Sequence, residues 1–189
     1  MRPVPSAAES VADAARNLRF EQRVLPHLDA AYGLARWLAR AEHDAEDVLQ
    51  EAMLRAYRYY DSGSEGNTRA WLLTVVRNTF YTLHKQATAL RQDEFDEAIH
   101  DIADDAPTPE AQLLRDADVR QLRDAIETLP LEYREVLVLR EFEECSYKDI
   151  AEITGLKLGT VMSRLARARD RLAQTLGANA QGEPHHVVQ

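Results

Sequence analysis

In Ser146-Tyr147-Lys148-Asp149-Ile150-Ala151-Glu152-Ile153-Thr154-Gly155-Leu156-Lys157-Leu158-Gly159-Thr160-Val161-Met162-Ser163-Arg164-Leu165, a short helix, a tight turn and a longer helix can be read from the residues alone. Ser146 and Asp149 have the spacing of a capping box, in which a hydroxyl and a carboxylate satisfy each other's backbone N–H groups. Gly155 suits the left-handed residue that ends a helix. A long helix then runs from about Leu158 to Leu176. Short helix, glycine turn and long helix together make a helix-turn-helix pattern.

The long helix has two chemical faces. At about 100° per residue, Thr160, Arg164, Arg167 and Arg171 fall within about 60° of one another, while Val161, Leu165, Ala168, Leu172 and Leu176 occupy a separate arc. From Lys157 to Arg171, five basic residues stand against Asp170, a local net charge of +4. Polyanions dock on such stripes. The first turns of such a helix enter the major groove, so Lys157, Thr160, Ser163 and Arg164 are candidates for base edges, and Arg167 and Arg171 for phosphate. A merely solvated basic face is the alternative.

Working outward, helices are predicted over about Pro109–Thr128 and Leu131–Phe142, separated by Pro130. Upstream, one helix is expected from Phe20 to about Ala41 with Pro26 near its first turn, and a break at His43-Asp44, where Asp44 caps the next helix. That helix reaches about Tyr60, the loop Asp61–Asn67 follows, and a third helix covers Thr68 to about Ala87. Apolar residues recur at three- and four-residue steps throughout, so the expected fold class is all-α: two small helical domains joined by a flexible acidic linker, the second containing the helix-turn-helix. The expected division is a flexible N-terminal segment 1–19, a first domain 20–90, a linker 91–109, a second domain 110–176 and a flexible tail 177–189. Like charges along the linker extend it, so the halves are expected to be tethered rather than fused.

Composition narrows the class of function. The 189 residues include 7 Gly, 7 Pro and 1 Cys, which excludes collagen-like, disulfide-stapled and Cys-rich zinc scaffolds. No apolar run approaches the roughly 20 residues that span a bilayer, and no signal peptide opens the chain, so a cytoplasmic protein without membrane insertion is expected. The formal charge of −9 is concentrated: residues 1–90 are net 0, 91–110 net −7 and 111–189 net −2. Both flanks leave room for basic patches and a nucleic-acid partner. Six scattered histidines suggest no metal site, and the carboxylates form no catalytic constellation. The expectation is no enzyme, no cofactor and no small-molecule substrate. Cys145 reads as a small core residue rather than a redox sensor.

Asp44-Ala45-Glu46-Asp47-Val48-Leu49-Gln50-Glu51-Ala52-Met53-Leu54-Arg55-Ala56-Tyr57 resembles the second conserved region of extracytoplasmic-function (ECF) sigma factors of bacterial RNA polymerase. Trp71-Leu72 with Arg77-Asn78-Thr79 resembles the promoter-melting helix that follows it. Leu129-Pro130, Tyr133-Arg134-Glu135-Val136-Leu137, Asp149-Ile150-Ala151, Gly159-Thr160-Val161 and Ser163-Arg164-Leu165 resemble the fourth region, in order. The resemblance implies an initiation factor that binds core RNA polymerase and promoter DNA, recognises −10 and −35 elements, and is restrained by an anti-sigma factor.

Residue by residue, the resemblance implies core-polymerase contacts from Asp47, Gln50, Glu51 and Arg55. It implies −10 contacts from the third helix, where Arg69, Arg77, Asn78, Tyr81, His84 and Lys85 are suited to phosphate, base or stacking contacts. The −35 element falls to Lys157, Thr160, Ser163, Arg164, Arg167 and Arg171. Trp71 and Phe80 read as core. The loop Asp61–Asn67 corresponds to the family's pocket for a flipped −10 base, and the linker to a segment that enters the polymerase's RNA path. Thr82, Gln86 and Met162 depart from the family's usual acidic or basic residues and make this chain less basic where it would meet DNA. The competing reading is a sigma-like decoy that binds an anti-sigma factor without touching promoter DNA; the retained stripe around Thr160 and Arg164 speaks against it.

Overall fold

The computed structural model describes residues 7–63, 66–91 and 110–180, and among them every regular element is helical. The order is α1 (Ala7–Val24), a 3-10 turn (Leu25–His27), α2 (Leu28–Ala39), α3 (Glu42–Gly63), α4 (Thr68–Arg91), α5 (Glu110–Glu127), α6 (Leu131–Glu141), α7 (Tyr147–Thr154) and α8 (Leu158–Ala180). The acidic linker lies outside the described residues.

The first half departs from expectation at four places. Residues 7–19, expected in a flexible segment ahead of the first helix, belong to α1 (Ala7–Val24). The helix predicted from Phe20 to Ala41 is two helices, because Pro26 cannot donate to the preceding turn and a 3-10 turn forms around it. The break after α2 falls at Arg40, whose φ of 67° closes the helix, rather than at His43-Asp44. Asp44 therefore lies within the first turn of α3 and not at its cap, where it still faces the positive end of the helix dipole. Asp61–Gly63, expected in a loop, continues α3. α4 starts at Thr68 as expected, with the Asn67 side chain accepting from the Ala70 N–H at 3.1 Å.

α2, α3 and α4 pack around Leu34, Leu38, Leu72, Leu73 and Val76. α3 contributes Ala45, Ala52 and Ala56 at helical spacing, small residues that let its neighbours approach closely. α1 is fastened to α3 by Phe20, whose ring stands edge-on to Tyr57 and Tyr60 at 5.3 and 5.4 Å. Such pairs add about 0.5–1.5 kcal/mol beyond area burial.

In the second half, the expected cap of α7 is present: Ser146 Oγ accepts from the Asp149 N–H, and Asp149 Oδ2 accepts from the Ser146 N–H, both at 3.1 Å. Gly155 closes α7 at φ 70°, a conformation that costs a residue with a Cβ about 1–2 kcal/mol. Ile150, Ile153, Val161 and Leu165 then lock α7 against α8.

α6 is exceptional because all seven residues from Tyr133 to Leu139 are buried, including Arg134 and Glu135. A helix buried on every side needs neighbours on every side. α8 covers one flank, and α2 of the first half covers another, while α7 packs on α4. One continuous apolar cluster thus contains Leu34 and Leu72 from the first half and Val136 and Ile150 from the second. The halves, expected to be merely tethered, are in direct contact.

Candidate nucleic-acid and polymerase interfaces

α3 presents Asp47, Gln50, Glu51 and Arg55 opposite its buried alanine row. Asp47 lies 3.7 Å from His43, and Glu51 pairs with Arg55 one turn on at 2.7 Å. At about 100° per residue, Leu54 projects into the centre of this polar face. It is 58% exposed. An exposed leucine ringed by charges has the make-up of a protein interface core with a polar rim. Sequence reading passed over it because its spacing fits a core residue equally well.

α4 divides its candidates. Asn78, His84 and Lys85 are exposed, with the His84 ring stacked on Phe80 at 5.4 Å. Phe80 is buried and Trp71 half-buried against the core, as expected for packing residues. Arg69, Arg77 and Tyr81 turn instead toward the second half. Arg77 Nε donates to Glu135 Oε1 at 2.6 Å, where the two side chains are 19% and 1% exposed. The Arg77 guanidinium also covers the Tyr81 ring at 4.6 Å, and the Tyr81 hydroxyl bonds Glu135. Arg69 Nη2 donates to Glu143 Oε2 at 2.6 Å and its Nη1 lies 3.5 Å from Cys145 Sγ.

Burial pushes the carboxyls of Glu135 and Glu143 above their ordinary range, outweighing the opposing pull of Arg77 and Arg69. Burial likewise raises the Cys145 thiol, which fits a small core residue rather than a reactive one. Two arginines, one from each half, converge on the C-terminal carbonyl of α5: Arg40 donates to Glu127 O at 2.6 Å and Arg134 at 2.9 Å. Arg134 also reaches Leu38 O on α2 at 3.4 Å, and burial lowers its pKa to about 10. The negative end of the α5 dipole favours both cations.

Lys157, in the turn just before α8, is exposed, as are Ser163, Arg167 and Arg171 on the helix, while Thr160 and Arg164 are half-buried. The stripe is partly balanced by α6. Arg164 lies 3.6 Å from Glu132, and Arg169 pairs with Glu141 at 2.6 Å. Arg171 covers the Tyr133 ring at 5.1 Å, beside an open groove of about 600 Å³ that Arg167 also lines. Ser163 spends its hydroxyl on Thr160 O at 3.0 Å. The α8 candidates thus share one helix face, while the α4 candidates are split between solvent and the interior.

Among the described residues, no three His, Cys, Asp or Glu side chains are grouped to hold a metal ion, and no helix is long and apolar enough to cross a membrane.

A helix-turn-helix with a basic reading helix, packed beside a three-helix unit, defines a class of DNA-directed transcription factor, and the comparisons specify it. Residues 24–89 match the family model for sigma-70 region 2, and residues 119–172 the model for sigma-70 region 4. The chain is 31% identical over 173 residues to the ECF RNA polymerase sigma factor SigE of Mycolicibacterium smegmatis, covering 91% of this chain and 67% of that one. It is 33% identical over 171 residues to the RNA polymerase sigma-H factor of Pseudomonas aeruginosa, covering 83% and 86%. Among solved structures, the sigma factor RpoE in complex with the anti-sigma factor NepR from Bartonella quintana is similar at TM-score 0.70 and 30% identity, over 84% of this chain and 97% of that one. CnrH in complex with the cytosolic domain of CnrY follows at TM-score 0.60 and 26% identity, over 84% and 88%. The chain belongs to the ECF sigma factors of bacterial RNA polymerase. It is an alternative sigma factor that binds the core enzyme and directs promoter-specific initiation.

Proposed function

We propose a division of this work along the chain. Residues 20–90 bind core polymerase through Asp47, Gln50, Glu51 and Arg55 around Leu54, and take up the −10 strand through α4, with Arg69, Arg77, Asn78, Tyr81, His84 and Lys85. Residues 110–176 read the −35 duplex through Lys157, Thr160, Ser163 and Arg164, with Arg167 and Arg171 on phosphate. The carrying observation is the α7–α8 geometry: a capped helix, a left-handed Gly155 and a reading helix that buries Val161 and Leu165 while Ser163, Arg167 and Arg171 stay exposed. The chain works in the cytoplasm with RNA polymerase, as an initiation factor without catalytic activity, metal or cofactor. An anti-sigma factor restrains it; a similar solved structure is of the sigma factor RpoE bound to the anti-sigma factor NepR.

Arg164→Ala separates this reading from that of a decoy. Loss of a good bidentate base contact costs about 1–3 kcal/mol, roughly 5- to 150-fold in affinity. Output from −35-dependent promoters falls by that order while core binding is unchanged. Equal output from both proteins contradicts the −35 assignment.

A further inference from the structure

The outward side of α8 has two unlike flanks. At about 100° per residue, Arg167, Thr160, Arg171 and Arg164 share one arc, and Leu158, Met162 and Ala166 share another of about 80°, on the far side of Gly159 and Ser163. Leu158 is 51% exposed and Met162 52%, and Ala166 is exposed as well. The row ends at Arg169, which turns back to Glu141 on α6 at 2.6 Å. Single exposed apolar residues are ordinary on any protein. Three at steps of four, along the helix that carries the basic stripe, form a continuous surface. Packing does not require it, because α8 already buries Val161, Leu165 and Ala168 against its own domain.

The chemistry of the major groove gives such a surface a use. Base pairs there present hydrogen-bond donors and acceptors, and thymine adds a C5 methyl group that only an apolar neighbour can recognise. The arginines of the basic flank donate and cannot read a methyl. Between the flanks little competes for the bases: Gly159 has no side chain, and Ser163 gives its hydroxyl proton to Thr160 O at 3.0 Å. Asp170 stands on the same midline two turns beyond Ser163 and repels phosphate, which confines close approach to the first three turns of α8. Those are the turns that hold Leu158, Met162 and Ala166.

We propose that Met162, flanked by Leu158 and Ala166, is a specificity-determining residue that selects thymine in the −35 duplex by packing against its C5 methyl group. The inference rests on the assignment of α8 to that duplex. Recognition is thereby divided across one helix, with hydrogen bonds from the Thr160 and Arg164 side and apolar contact from the Met162 side. The unbranched, polarizable methionine side chain adapts to a methyl group more readily than a β-branched one would.

The test uses holoenzyme, this chain with core polymerase, and linear promoter duplexes carrying a randomised upstream window. Bound duplexes are sequenced, and the selected upstream element is resynthesised with each thymine replaced singly by deoxyuridine, which removes the methyl and keeps the base pair. Competition binding is expected to show at least one position where deoxyuridine weakens wild-type holoenzyme about 4-fold, the worth of one buried methyl-sized group. Met162→Ala, at an exposed position, binds the unmodified element more weakly and is indifferent to deoxyuridine there, whereas Met162→Leu retains the sensitivity. A wild-type holoenzyme indifferent to every replacement, or an element in which no thymine is selected, overturns the proposal. So does a methyl sensitivity that Met162→Ala leaves unchanged. Arg164→Ala keeps the two levels apart: if it abolishes selection of the upstream element, the −35 assignment stands whatever the methyl result. If it leaves selection intact, that assignment fails and the role of Met162 fails with it.

Discussion

Arg77→Leu removes the cation from a carboxylate that is 1% exposed. Losing one partner of a buried ion pair costs about 3–5 kcal/mol, because the remaining charge is left in a poor solvent. Here the remaining group can escape by taking up a proton, so the cost depends on pH. Glu135 is already raised from its ordinary value of 4.5 by burial. Without Arg77 it rises further. A carboxyl whose folded value is raised contributes stability that is fully present below its unfolded value and is lost as pH climbs through the folded one. The penalty of Arg77→Leu is therefore smallest near pH 5 and grows toward pH 8, by at most about 1.4 kcal/mol per pH unit for one proton. Urea titrations followed by tryptophan emission at both pH values measure it. The double variant Arg77→Leu/Glu135→Gln supplies the control, since it has no carboxyl to titrate and its loss should be flat. A pH-independent penalty for Arg77→Leu, or one below about 0.5 kcal/mol at pH 8, would refute a buried pair between the halves.

Three further outcomes are expected. Gly155→Ala places a Cβ at φ 70° and should cost about 1–2 kcal/mol, read as a lower midpoint in thermal unfolding followed by circular dichroism. Leu54→Lys, at an exposed position, should leave thermal stability within about 0.5 kcal/mol of wild type yet weaken core-polymerase binding at least ~10-fold in a pull-down or fluorescence titration. Cys145, buried and with its thiol pushed up, should react with a chromogenic disulfide reagent only slowly in the native protein and at once in urea.

The helix-turn-helix was legible because its signals are local. Ser146 and Asp149 cap within one turn, Gly155 breaks the next, and the basic and apolar faces of α8 repeat at helical spacing. The breaks in the first half were harder to place. Pro26 was visible, but whether it opens a helix or interrupts one depends on what packs on either side. Arg40 closes α2 with a positive φ that an arginine does not advertise, and its guanidinium is then held by the α5 carbonyl of Glu127, 87 residues away.

The seam between the halves was missed for a related reason. Glu135 and Glu143 look like ordinary surface carboxylates until the first half is placed against them. One signal was available: Tyr133 to Leu139 leaves no polar face wide enough for a solvent-facing helix, so the Arg134-Glu135 pair within it had to be buried beside partners. Gly33, inside an otherwise good helix, was the second, since a Cβ there would stand 2.9 Å from Glu143 Oε1. The candidates on α8 needed no such context, whereas half of those on α4 acquire their meaning from residues more than 50 positions away.

Run-off transcription with purified core polymerase and a genomic promoter library, with and without this protein, is the most direct measurement. The account predicts discrete new start sites that share two upstream elements, lost on Arg164→Ala. Stable binding to core with no new start site, or start sites unaffected by Arg164→Ala, would contradict it.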